Sequence, residues 1–256
     1  LEKAERSGMA MGAVRNSNHF GIAAYYAMMA LEKDMIGIAM TNTAALGVPT
    51  FGRQVMFGTN PMAFAAPANE EKGFVLDMST TVVTRGKLEV YAREGKELPA
   101  GWAVDKRGLT GREPAGLLDD MFYRRGGGIL PLGGEGELFS GYKGYGLATL
   151  VDILSAVLSG GDFGPQVSDT KEGSGRVCHY FAAFRIDAFR DPAEFRRDMD
   201  RMLRDLRNTP VAEGQERVYF AGLKEFEAEE RSARDGVPVS AKVYEQLKQI
   251  AEETKV

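Results

Sequence analysis

From residue 1 to about 165 the chain alternates short apolar runs with amphipathic stretches, and this alternation constrains its fold more than any single motif. "MAMGAVRNS" (9–17), "MIGIAMTN" (35–42), "PMAFAAPA" (61–68) and "GFVLDMST" (73–80) read as strands. Between them "GIAAYYAMMALEKD" (21–34) repeats apolar residues at helical spacing through Ile22, Tyr25, Tyr26 and Met29. "VVTRGKLEVYAREGK" (82–96) is a further helix. "YKGYGLATLVDILSAVLSGG" (142–161) is another, with Leu147, Leu150, Val151 and Leu154 on one face and a Gly pair at its end. Strands that read as near-continuous apolar runs between helices predict an α/β domain with a largely parallel or mixed sheet.

After "VCHYFAAFRI" (177–186), which alternates as a strand, the texture changes. "DPAEFRRDMDRMLRDL" (191–206) opens with an Asp cap, Pro at the first helical position and Glu at the third. Two more charged helices follow, the last being "SAKVYEQLKQIAEETKV". The chain therefore divides near residue 187 into a sheet-based part, 1–187, and a helical part, 188–256.

Several function classes are excluded. Thirty-two basic against thirty-six acidic residues, with no basic stripe carrying interleaved aromatics, argue against nucleic acid. A single cysteine, Cys178, rules out a disulfide framework or a cysteine-rich metal site and favours the cytoplasm. No apolar run reaches the length of a membrane span. The opening "LEKAERSGMAMG" carries charge throughout and reads as the last turns of a helix, not as a signal peptide.

Four features invite chemistry. "GEGELFSGYKGYGLATL" is Gly-rich, carries Lys143 and enters a helix, as an anion site would. Gly144 after Lys143 excludes a P-loop, and an exposed Lys on a flexible loop is the plainer reading. Cys178 and His179 are neighbours on a strand, so their side chains point to opposite faces and form no dyad. Asp77 ends a strand, where ligands collect in open α/β sheets, or else it caps the following turn. His19 follows Asn16, Ser17 and Asn18 where a strand gives way to a helix. The positive end of the helix dipole favours a neutral imidazole there, a poise that suits acid–base work. On residue chemistry alone, a structural polar residue stands beside that reading.

"VRNSNHFG", "TNTAALGVPTFG", "FGTNPMAFAAP", "LDMSTTVVTRGKL", "LPAGWAVDKRG", "ILPLGG" and "GYKGYGLATLVDILSAVLSG" occur in this order. Together they closely resemble the malate/L-lactate dehydrogenase family, which lacks a Rossmann fold and also contains ureidoglycolate, sulfolactate and diketogulonate enzymes. The resemblance runs from about residue 8 to the end and is dense from 14 to 165. It implies a three-layer α/β/α fold with a mixed sheet and a helical C-terminal part. It also implies an NAD-dependent oxidoreductase, with NADP as the alternative cofactor, that interconverts a small 2-hydroxy acid and its 2-oxo acid, malate or lactate foremost. By motif, His19 is the acid–base residue. Thr43, the Ser79–Thr80–Thr81 turn and Lys143 hold the cofactor, and Gly58 to Pro61 shape the pocket. No metal is implied, and a homodimer is the usual assembly.

The chain also departs from the pattern. Ala221, Gly222 and Leu223 stand where the family has a "PGE"-like turn, leaving Lys224 or Glu225 to supply a ribose contact. Phe51 stands where a second Gly is common, with Arg53 after Gly52, and the 119–141 stretch is longer than in many members. The family's amino-terminal Ser-His-Gly motif and its nearby Arg, which clamp the substrate carboxylate, have no counterpart. The expectation is a fragment, or a chain whose amino-terminal region comes from a separate polypeptide and packs on the helical part. The competing reading is a non-catalytic or incomplete subunit that binds cofactor and a partner chain.

Overall fold

The computed structural model describes residues 1–167 and 175–255. Helix α1 (Glu2–Ser7) leads into strand β1 (Met9–Ser17), helix α2 (Ala23–Met28) and strands β2 (Met35–Thr41), β3 (Met62–Ala66) and β4 (Phe74–Met78). The chain then builds a lobe from α3 (Arg85–Arg93), β5 (Ala103–Val104), α4 (Pro114–Phe122) and β6 (Gly128–Ile129). Helix α5 (Gly141–Asp152), continued by a π-helical turn at Ile153–Val157, brings it back to the sheet, where β7 (Val177–Arg185) is added. Helices α6 (Pro192–Arg207), α7 (Leu223–Asp235) and α8 (Ala241–Thr254) follow.

The five-stranded sheet has the order β1-β7-β2-β3-β4. The α/β class expected from the sequence is what the chain adopts. The pairing differs, because every ladder of this sheet is antiparallel where a largely parallel or mixed sheet was expected. Helices cover both faces, so central strands are apolar on both sides whatever their direction, and run composition carries no information about pairing. Connection length does. Only residues 67–73 separate β3 from β4, too few for the crossover that a parallel pair requires.

The layers follow from the strand alternation. On one face Ala39, Ala63, Ala65 and Phe181 lie beneath α2. On the other, Ile38, Met40, Met62 and Tyr180 pack under Val151 and Leu154, while Phe64 and Phe74 meet Met199 and Leu203 of α6. Of the residues whose spacing marks the α2 stretch, only Tyr26 packs against the core, and the helix meets the sheet through its alanines. Ala23, Ala24 and Ala27 face the sheet, while Ile22, Tyr25 and Met29 are exposed. Small side chains let the helix backbone approach so closely that a Cβ at Gly37 of β2 would lie 2.9 Å from both the Ala27 carbonyl carbon and the Ala30 methyl. The lobe has its own core, built from Leu88, Leu98, Val104, Leu117 and Ile129.

Helix α6 starts as its sequence signals, with Asp191 accepting from the Glu194 N–H and Pro192 in the first turn. At its middle, buried Asp200 accepts the backbone N–H groups of Asn69, Glu70 and Glu71, each at 3.0 Å, and ties the β3–β4 loop to the helix. Burial penalises the Asp200 charge. The Glu71, Glu70 and Asn69 N–H groups, with Arg204, outweigh that penalty and hold the carboxyl below its ordinary value. A depressed carboxyl stabilises the fold above the unfolded-state value of about 4 and loses that contribution as pH falls through the folded one. Asp200→Asn is therefore expected to lower stability at pH 7 by about 1–2 kcal/mol. The gap from wild type in urea midpoints should close below pH 4; a gap that widens on acidification would contradict this account.

Candidate active site

A cleft of about 600 Å³ opens where the ends of β1, β2 and β7 meet the first turn of α3. His19 lies on its wall, in the turn between β1 and α2, with Thr43 just past the end of β2. The Gly21 N–H donates to His19 Nδ1 at 3.1 Å. In its neutral form the ring therefore carries its proton on Nε2, the atom left for a ligand. The amino end of α2 is answered by Asp77, whose carboxylate accepts the Ala24 N–H at 2.8 Å. Asp77 thus caps a helix 53 residues earlier in the chain, and the dipole expected at His19 is met by that carboxylate.

The "TNT" and "GTNP" stretches interlock beneath the cleft. Thr43 Oγ1 accepts the Thr59 N–H at 3.0 Å, and Asn60 Oδ1 accepts the Thr43 N–H at 3.3 Å. Buried Asn60 also donates to the Ala148 carbonyl of α5, while buried Asn42 accepts from Cys178 N–H and donates to the Asp162 carbonyl. Behind them Asp152 keeps Oδ1 buried without a hydrogen-bond partner. Burial pushes its carboxyl above the ordinary value, opposed by the Asn60 and Asn42 side chains.

The remaining motif residues are placed differently. Thr80 is buried, with its hydroxyl donating to the carbonyls of Thr59 and Asn60. Thr81 is buried and donates to Val83, and Ser79 donates to Thr81. This turn shapes the floor and does not line the cleft. Lys143, exposed in the first turn of α5, is also outside the lining. Thr84, Arg85 and Gly86 do line it, although the sequence marked them only as part of a predicted helix and of the "LDMSTTVVTRGKL" motif, with no role assigned. Helix α3 begins there with no side-chain cap on its first turn. Residues 221–223 stand apart, flanking β4 where the Val75 N–H donates to the Ala221 carbonyl. Ala221 and Gly222 border a second, largely apolar hollow of about 1080 Å³ that also includes Asp77 and Tyr25. Phe51, 80 % exposed, has φ 66°, a left-handed conformation that accounts for a glycine preference at that position.

Among the described residues no three His, Cys, Asp or Glu side chains gather to hold a metal, and no helix is long and apolar enough to cross a membrane.

Comparison with known proteins places this architecture. The family model described as malate/L-lactate dehydrogenase matches residues 1–248. Malate dehydrogenase of Pyrococcus abyssi is 46% identical over 251 residues, covering 98% of this chain and 67% of the relative. L-sulfolactate dehydrogenase of Methanocaldococcus jannaschii is 37% identical, with 99% and 69% covered. The crystal structure of malate dehydrogenase from Entamoeba histolytica superposes with a TM-score of 0.93 at 36% identity, covering 100% of this chain and 71% of that one. The chain belongs to the malate/L-lactate dehydrogenase family and is a dehydrogenase that works with a nicotinamide cofactor.

Proposed function

We propose that this dehydrogenase interconverts a small 2-oxo acid and its 2-hydroxy acid, with oxaloacetate and malate as the first pair and NAD as the cofactor. The observation that carries the reading is the meeting of His19, Thr43 and the uncapped amino end of α3 in one cleft. The donor set suits a dinucleotide. The first N–H groups of α3 and the Arg85 guanidinium match an anionic pyrophosphate, and the threonine hydroxyls match ribose and amide groups. When bound, the nicotinamide supplies or accepts the hydride. In reduction, the imidazolium form of His19 donates its Nε2 proton to the carbonyl oxygen as the carbonyl carbon gains hydride, leaving a neutral ring that keeps its Nδ1 proton; in oxidation that ring takes the hydroxyl proton back at Nε2. The Gly21 N–H meets Nδ1 in the resting Nε2–H ring and parts from it when Nδ1 is protonated during turnover. Thr80 and Thr81, buried and bonded to carbonyls, support this reading as framework groups, and Lys143 serves as an outer contact to the cofactor.

The test follows loss of NADH absorbance when the purified chain is mixed with oxaloacetate or, separately, pyruvate, with NADPH run in parallel. Rapid loss with oxaloacetate and NADH is the expected result. Preference for pyruvate would overturn the substrate assignment, and preference for NADPH the cofactor assignment. NADH binding by fluorescence with no turnover would favour a cofactor-binding subunit that lacks a complete site.

A further inference from the structure

We propose that His179 is a positioning residue for His19, clamping the turn that presents the His19 imidazole to the cleft. The inference rests on the reading of His19 as the acid–base group. Among the described residues the chain brings its two histidines together from ends of the sequence 160 residues apart. His179 lies on the α2 side of β7, 3 % exposed, with its ring nearly parallel to that of Phe20 at 3° and a centroid distance of 4.3 Å. Phe20 is the residue after His19. It is stacked in turn on Tyr26 at 4.6 Å, and the Tyr26 hydroxyl donates to the Phe20 carbonyl at 2.8 Å. The residue that follows His19 is therefore held against the buried imidazole.

That imidazole is itself fixed. Its Nδ1 shares a proton with Thr41 Oγ1 at 2.8 Å, and the Thr41 hydroxyl lies within hydrogen-bond reach of the Asn42 and Cys178 carbonyls. Nε2 is buried with no hydrogen-bond partner. A group buried with one nitrogen unsatisfied is costly where leucine or phenylalanine would fill the space, unless its shape or its polar contacts serve something nearby. The nearest thing to serve is the Asn18–Gly21 turn. Its last member sets the tautomer of His19 through the Gly21 N–H, so a slackened turn releases Nδ1 and lets the proton move between the two nitrogens. His179 touches neither substrate nor cofactor and acts through His19 alone.

With two histidines in the chain, imidazole nitrogen NMR resolves each one. In the wild type at pH 8, His19 is expected as the Nε2–H tautomer. His179→Ala should move its nitrogen shifts toward the average of the two tautomers, and His179→Phe, which keeps a flat ring against Phe20, should restore the wild-type pattern. If His179→Ala does not fold, His179→Leu fills the volume without the flat ring and takes its place. A folded Ala or Leu variant that leaves His19 wholly in the Nε2–H form overturns the proposal. Kinetics provide a second arm. His179→Ala should lower kcat with oxaloacetate about tenfold with KM values within twofold, and it should add nothing in a His19→Ala background. Additive losses overturn the proposal. Full turnover in His19→Ala alone would instead remove the acid–base reading, while the NMR outcome still decides whether His179 orients that ring.

Discussion

His19→Ala is expected to lower kcat for oxaloacetate reduction by about 10²–10⁴-fold, the range that a positioned proton donor contributes. NADH affinity, measured by fluorescence, should stay within twofold of wild type. The two readouts separate because His19 is held by its own turn, through the Gly21 N–H and the Phe20 stack, and carries none of the polar contacts that organise Thr43, Thr59 and Asn60. Removing an exposed imidazole opens no cavity in a core, so stability should move by less than about 0.5 kcal/mol. Activity equal to wild type in a folded His19→Ala protein would remove His19 from the chemistry and leave the cleft as a binding site only.

That residue shows where sequence reasoning reaches and where it stops. The runs quoted as strands contain β1, β2, β3, β4 and β7, because strand existence is written in a local apolar run. Pairing is not local, and the antiparallel ladders had to be seen. Of the residues that marked α2 only Tyr26 packs on the core, because large side chains outweigh alanine on any hydrophobic scale, whereas close approach to Gly37 selects the alanines. In the lobe, β5 and β6 have two residues each, too short for a period to show. At the site, His19 stood out by motif, while His179 was visible only as a residue that could not pair with Cys178. That much was correct, since Cys178 Sγ lies near the Asp162 and Arg176 carbonyls and His179 meets Thr41. Its stack on Phe20 joins residues far apart in the chain, and no spacing rule encodes such a contact.

Gly58→Ala is expected to cost about 3 kcal/mol of stability, at the upper end of what overpacking costs. A Cβ at this position would lie 2.5 Å from the Thr43 carbonyl oxygen and closer still to Thr43 Oγ1. The side-chain hydroxyl could rotate away, but the carbonyl belongs to the backbone and can yield only by shifting the chain. Moving Thr43 breaks the Thr59 N–H bond to Thr43 Oγ1 and the Thr43 N–H bond to Asn60 Oδ1, and so distorts the cleft wall opposite His19. NADH should bind about tenfold more weakly in the folded fraction, equivalent to about 1.4 kcal/mol. The double variant Thr43→Ala/Gly58→Ala separates the two contacts. Deleting the hydroxyl relieves only the nearer clash, so urea midpoints should recover in part and remain below that of Thr43→Ala alone. Complete recovery would place the conflict in the Thr43 side chain, and a Gly58→Ala protein as stable as wild type would mean that the close approach of these two strand-end turns is not a constraint the fold depends on.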